Sequence, residues 1–188
     1  MIVSLVTLVV LLIGAAAMIR SMNSSLSAAG SYGFKRDMAN QGVRALAYVR
    51  DTLLVSGGAL FAETSRETSN VAENYSATML ATSPEGIPNV LLGNDAAFAS
   101  AGSAGKDISI DDMQVKVRYV IDRMCTAGTT VPTASNCMIA SAPPPTGGSG
   151  GNGKPKVNPP TPQAIYRLTV RVTGPRNAQS FFQSTFTV

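Results

Sequence analysis

The chain has 188 residues, a formal net charge of +4, 14% charged residues, no histidine, no tryptophan and two cysteines. Without histidine the commonest general base and metal ligand is gone, and two cysteines cannot build a four-ligand zinc site, which excludes triads and metal hydrolysis. So low a charge density on an Ala/Ser/Gly/Thr-rich chain suits a protein exposed outside the cell or packed among copies of itself.

The first element is MIVSLVTLVVLLIGAAAMI, Met1 to Ile19, with Ser4 and Thr7 as its only hydroxyls and no charge before Arg20. Nineteen helical residues cover about 28 Å, close to the hydrocarbon thickness of a bilayer. A helix apolar on all sides needs lipid, or a sheath of equally apolar helices, around it. Three readings stay open: a cleaved secretory signal, with Ala15–Ala17 imitating a cleavage site; a permanent single-span anchor; and a helix that leaves the membrane to pack inside a filament. A basic start is missing, and the apolar run is long for a signal.

From Arg20 to about Val55 there is no proline. Phe34, Met38, Gly42, Leu46, Val49 and Leu53 advance in steps of three or four, while Arg36, Asp37, Asn40, Arg44 and Asp51 lie mainly on other faces. The chain therefore divides into an apolar half-helix (1–20) and an amphipathic continuation (21–56). Gly30 and Gly33 are weak points where a kink or melted turn is expected, and Gly57-Gly58 ends the helix. The remainder, roughly 130 residues, suffices for one modest domain.

Residues 57–106 read as a connecting region, in which Pro84, Gly86 and Pro88 stop whatever helical turns form. The head, 107–188, carries the strand signals. In the first, Met113, Val115, Val117, Tyr119 and Ile121 alternate with Gln114, Lys116, Arg118 and Val120. In the second, Tyr166, Leu168, Val170 and Val172 alternate with Arg167, Thr169 and Arg171. After the turn Gly174-Pro175-Arg176-Asn177, residues 179–188 supply a third. Between the first two lie the loop 125–137, bounded by Cys125 and Cys137, and a Gly/Pro-rich insert (142–163) whose composition denies it a packed core. Downstream of a segment that exports the chain beyond it, the cysteines read as a disulfide, worth about 3 kcal/mol by loop closure; free thiols in an internal compartment are the other reading. A long helix followed by an antiparallel meander makes an α+β lollipop, the helix's second half covering the apolar face of the sheet.

Two blocks carry a family resemblance. IVSLVTLVVLLIGAAAM, continuing through AGSYGFKRDMANQGVRALAYVRD, resembles the apolar start and helical continuation of type IV pilins. YRLTVRVTGPRNAQSFFQSTF resembles the C-terminal strands and TGPR turn of the PilX-like minor pilins. The two blocks cover somewhat under half of the chain. The resemblance implies a structural subunit of a type IV pilus that promotes assembly through its helix. Such a subunit sits in the inner membrane with its head in the periplasm, then becomes part of an extracellular filament. Its implied partners are other pilin subunits and a tip adhesin; no cofactor and no enzymatic activity are implied. The chain departs from the family at one place. Most type IV pilins carry a glutamate at the fifth mature position, whereas Leu5 stands here and the first acid is Asp37. No start inside this sequence restores that carboxylate.

The packing residues of the apolar half are Ile2, Val3, Leu5, Val6, Leu8, Val9, Val10, Leu11, Leu12, Ile13 and Gly14. Gly14 and Ala15–Ala17 let neighbouring backbones approach closely. If the first two strands pair, Lys116, Arg118, Arg167 and Arg171 share a face. That basic face would meet DNA phosphates or an acidic partner, or its residues are ordinary solvated strand positions. A main subunit of a separate filament and a membrane-tethered binding module that never polymerises are the alternatives in function.

Overall fold

A computed structural model of the chain describes residues 1–128, 131–140 and 162–188. The fold is α+β. Helix α1 runs Ile2–Tyr48 and widens into one π-helical turn over Val49–Leu53; two one-turn helices come later, α2 (Asn89–Leu92) and α3 (Asp95–Phe98). Five strands form one sheet: β1 (Tyr75–Ser76), β2 (Ile108–Ile110), β3 (Val115–Arg123), β4 (Tyr166–Thr173) and β5 (Gln179–Phe186). The chain forms two compact units, Met1–Asn40 and Gln41–Val188.

The first unit is helix alone. The interruption expected at residues 30–33 does not occur, and α1 is unbroken through Gly30 and Gly33. Two glycines cost about 2 kcal/mol relative to alanine, and in an element that gains a hydrogen bond with every added residue that cost weakens the helix without breaking it.

The second unit begins inside α1. Of its helical residues, Gln41, Gly42, Ala45, Val49 and Leu53 are buried, whereas Leu46, expected on the inner face, is exposed. The inward line runs through the small Gly42 and Ala45, which let the helix lie close to the sheet. Gly42 is the tightest point: a Cβ there would stand 2.9 Å from the Phe182 ring. Tyr48 packs on Tyr119 with ring centroids 5.8 Å apart, and the Gln41 amide donates to the Met113 sulfur. The glycine pair ends the helical run as its sequence implies. Leu60 N–H closes on Leu53 O at 2.9 Å, Gly57 adopts φ +87°, and a Cβ on Gly58 would lie 2.5 Å from two helix carbonyl oxygens.

Strands β3, β4 and β5 form the expected antiparallel meander, in register from Lys116↔Thr173 to Arg123↔Tyr166 and from Thr173↔Gln179 to Tyr166↔Phe186. The whole sheet is mixed, because β1 joins β3 in parallel while β2 joins it antiparallel. Strands of two and three residues are too short to show a period. Strand β3 starts two residues later than its alternation suggests, since Asp111–Met113 make a 3-10 turn that ends at Gln114 with φ +52°.

Pairing residues opposite one another gives the sheet two faces. On one lie Val115, Val117, Tyr119, Ile121, Leu168, Val170, Val172 and Phe182, and the helical residues from Gln41 onward cover it. The other carries Lys116, Arg118, Val120, Asp122, Arg167, Thr169, Arg171 and Phe181. Residues of the 57–106 region cover it with a small core of their own: Leu91, Phe98 and Ala101 against Val120, flanked by Leu80, Ile87, Val90 and Phe181. Cys125 and Cys137 form a disulfide. Around it Thr126 N–H donates to Asn136 O, Met138 N–H to Met124 O, and Met124 N–H to Ile165 O. Of the expected insert 142–163, only Pro162 and Gln163 lie among the described residues.

Candidate functional site

The residues singled out in the apolar half-helix are uncovered. Ile2, Val3, Leu5, Val6, Leu8, Val9, Val10, Leu11, Leu12 and Ile13 are all exposed on α1, and Gly14 has open space where a side chain would stand. The few polar side chains in this stretch are turned back on the helix. Ser4 Oγ–H donates to Met1 O at 2.7 Å and Thr7 Oγ1–H to Ser4 O at 2.9 Å; Ser25 and Ser31 repeat the pattern at 3.0 Å. Such bonds satisfy the hydroxyls without solvent, so the cylinder offers its surroundings an almost wholly apolar surface.

Between Ile2 and Ile19, twelve large apolar side chains are exposed. At about 2 kcal/mol each they carry on the order of 20 kcal/mol of transfer free energy, more than the net stability of a typical domain. Leaving this segment in water would therefore be costly. By length and composition it is able to cross a membrane, and none of its apolar window is buried by the rest of the chain.

No protein-family model, curated protein or solved structure matches the chain. What can be said of its class comes from its own elements. A long apolar N-terminal helix followed by a C-terminal sheet is compatible with a pilin-like fold.

The basic face suggested by strand alternation is not an exposed surface. Lys116 is open to solvent, with its ammonium 3.8 Å from Asp107. The other three cations are buried and engaged. Arg118, only 1% exposed, donates through Nε and Nη2 to the two Asp107 oxygens at 2.8 and 2.6 Å, reaches Asp95 at 2.7 Å, and lies 4.5 Å from the centre of the Phe98 ring. Arg167 forms a two-pronged pair with Asp122, which is fully buried and also accepts from Leu80 N–H at 3.0 Å. Arg171 donates to the carbonyl oxygens of Leu91 and Gly93 at 2.7 and 3.1 Å. All four cations do share one face of the sheet, as the alternation implies. Residues of the 57–106 layer cover that face, and together with Asp107 and Asp122 their carboxylates and carbonyls turn would-be surface cations into internal ties.

The electrostatics reflect this arrangement. The hydrogen bond with Asp107 raises the pKa of Arg118, and the bond from Arg118 holds the exposed Asp95 carboxyl below the ordinary carboxylate range. Burial, reinforced by the neighbouring Arg118 charge, lowers that of Arg171.

A second concave feature carries no signal in the sequence. A cleft of about 180 Å³ is lined by Glu63, Arg66, Arg123, Tyr166 and residues of the segments at 132 and 162–164. Arg66 and Arg123 are both buried. Arg66 sits in an unpatterned stretch, 57 residues before Arg123, and no local motif links the two. The alternation of β3 also breaks off at Ile121, two residues short of Arg123.

Proposed function

We propose that this chain is a structural subunit of a type IV pilus, a PilX-like minor pilin that promotes filament assembly and has no catalytic step. The carrying observation is the uncovered apolar half of α1, continuous in sequence with helical residues that cover one face of a sheet. Before assembly the segment dissolves in the inner membrane with the head in the periplasm. On extraction it exchanges lipid for the helices of other pilin subunits, because exposure to water would forfeit on the order of 20 kcal/mol. Gly14 and Ala15–Ala17 supply the close-approach surface for that packing. The disulfide and the low charge density support an extracellular end point, with other minor pilins and a tip adhesin as neighbours.

An uncovered apolar half-helix equally suits a permanent anchor, and the second reading is a membrane-tethered binding module that does not polymerise.

Sheared surface filaments carrying a labelled copy of this subunit discriminate these readings. Sparse label on intact filaments supports the minor-pilin reading, and label along the whole length supports a main subunit of its own filament. Label confined to the membrane fraction, with filaments of normal number, overturns filament membership.

A further inference from the structure

The sheet ends in two free edges. Strand β5 forms one, and the short β2 lies at the other, beside β3. Among the described residues, no backbone of another segment closes the outer side of either strand. Exposed edges are usually blunted by a charge, a proline or a bulge. Strand β5 has none of these: Ala178 to Thr187 contains neither a charged residue nor a proline, and its pairing with β4 runs in unbroken register. A neutral edge of eight residues is a template for strand addition.

The opposite edge offers the complement. Across the sheet, one row carries Ser109, Lys116, Thr173 and Gln179, and the next carries Ile108, Val117, Val172 and Ser180. Three antiparallel steps separate β2 from β5, so the two run in opposite directions. A second copy moved sideways along these rows therefore sets its β5 antiparallel to β2, with Gln179 of one copy opposite Ser109 of the other. Both residues are exposed. A groove of about 270 Å³ beside Ser109, lined also by Asp111, Gln114 and Lys116, gives the incoming carboxamide both an acceptor and a donor. Pairing β5 with β5 instead requires a two-fold axis normal to the sheet, which would set the helical residues from Gln41 onward antiparallel in the two copies. The sideways shift keeps them parallel, as copies inserted in one bilayer through the same N-terminal segment require.

We propose that the heads of neighbouring copies in the membrane join edge to edge, β5 of one copy adding to β2 of the next, so that the sheet continues from head to head. This rests on the membrane-anchored reading of the N-terminal helix. The three residues of β2 give too small a contact to hold free heads together, and confinement in a bilayer raises the effective concentration at which so short an edge operates.

The test is cysteine crosslinking of the full chain in phospholipid vesicles under a mild oxidant. Ser109→Cys and Gln179→Cys chains mixed in equal amounts are expected to give a disulfide-linked dimer, and Ser109→Cys mixed with Thr185→Cys at least several-fold less. Thr185 is exposed on the same face of β5, and its place further along the strand sets it about 20 Å from Gln179. The native cysteines are buried and already paired, and the three substituted positions are exposed, so the core is left intact. Equal yields from the two mixtures, no dimer in either, or as much dimer from Gln179→Cys alone overturn the proposal. Flotation of the chain with the vesicles is scored separately. A chain that does not float overturns the membrane reading and the edge contact with it; one that floats without the crosslink overturns the edge contact alone.

Discussion

Replacing Arg167 by methionine removes the partner of a carboxylate with no exposure at all. Asp122 accepts two bonds from Arg167 and one from Leu80 N–H, and it stands opposite Arg167 in the β3–β4 register. Arg167→Met leaves a buried negative charge with a single donor, at a cost of about 3–5 kcal/mol. Against a net stability on the order of 5–15 kcal/mol that is a large share, and it lowers the folding equilibrium constant by roughly two to four orders of magnitude. The double variant Asp122→Asn/Arg167→Met removes both charges yet keeps an acceptor for Leu80 N–H. It is expected to lose only about 1 kcal/mol, about 2–4 kcal/mol less than Arg167→Met alone. Urea unfolding of the full chain in micelles reads this directly by tyrosine fluorescence, since there is no tryptophan and Tyr48, Tyr75, Tyr119 and Tyr166 all lie in the second unit. A single variant that costs under about 1 kcal/mol, or a double variant as unstable as Arg167→Met, would refute the account of this pair as an internal tie.

Three further outcomes are expected. Arg118 holds the Asp95 carboxyl below its unfolded pKa. That contribution is therefore complete above about pH 4 and is lost as pH falls through the folded value, and Asp95→Asn should lower stability slightly near neutrality and flatten the acid limb of the profile. Gly42→Ala gains about 1 kcal/mol of helix propensity but sets a methyl 2.9 Å from the Phe182 ring, whose displacement costs about 1–3 kcal/mol; a shift of the urea midpoint to lower concentration is expected, and a rise would show that the ring moves freely. Reduction of Cys125–Cys137 adds two hydrogens by mass and should lower head stability by about 3 kcal/mol, with unchanged stability counting against the loop-closure argument.

What was legible in the sequence is local. Nineteen residues without charge dictate a helix that shuns water, whatever the remainder does. The period-two alternation of Val115–Ile121 and Tyr166–Val172 dictates paired strands with one apolar face, and Gly57-Gly58 dictates where the helix ends. The positions of Cys125 and Cys137 made a disulfide the natural reading. Each of these depends on neighbours in the chain, because backbone periodicity and turn chemistry act over a few residues.

The opposite face of the sheet was decided by the tertiary structure alone. Lys116, Arg118, Arg167 and Arg171 alternate as solvent-facing residues do, and alternation cannot tell whether another layer of the chain will cover them. Leu91, Phe98 and Ala101 sit in a stretch without period, yet they carry the core that buries this face, together with the acids and carbonyls that make the burial of three arginines tolerable. The choice of Ala45 over Leu46 at the helix contact has the same origin, since it depends on how near the sheet stands. Burial of charge is set by where partners 11 to 87 residues away come to rest, and that information appears only when the chain has closed on itself.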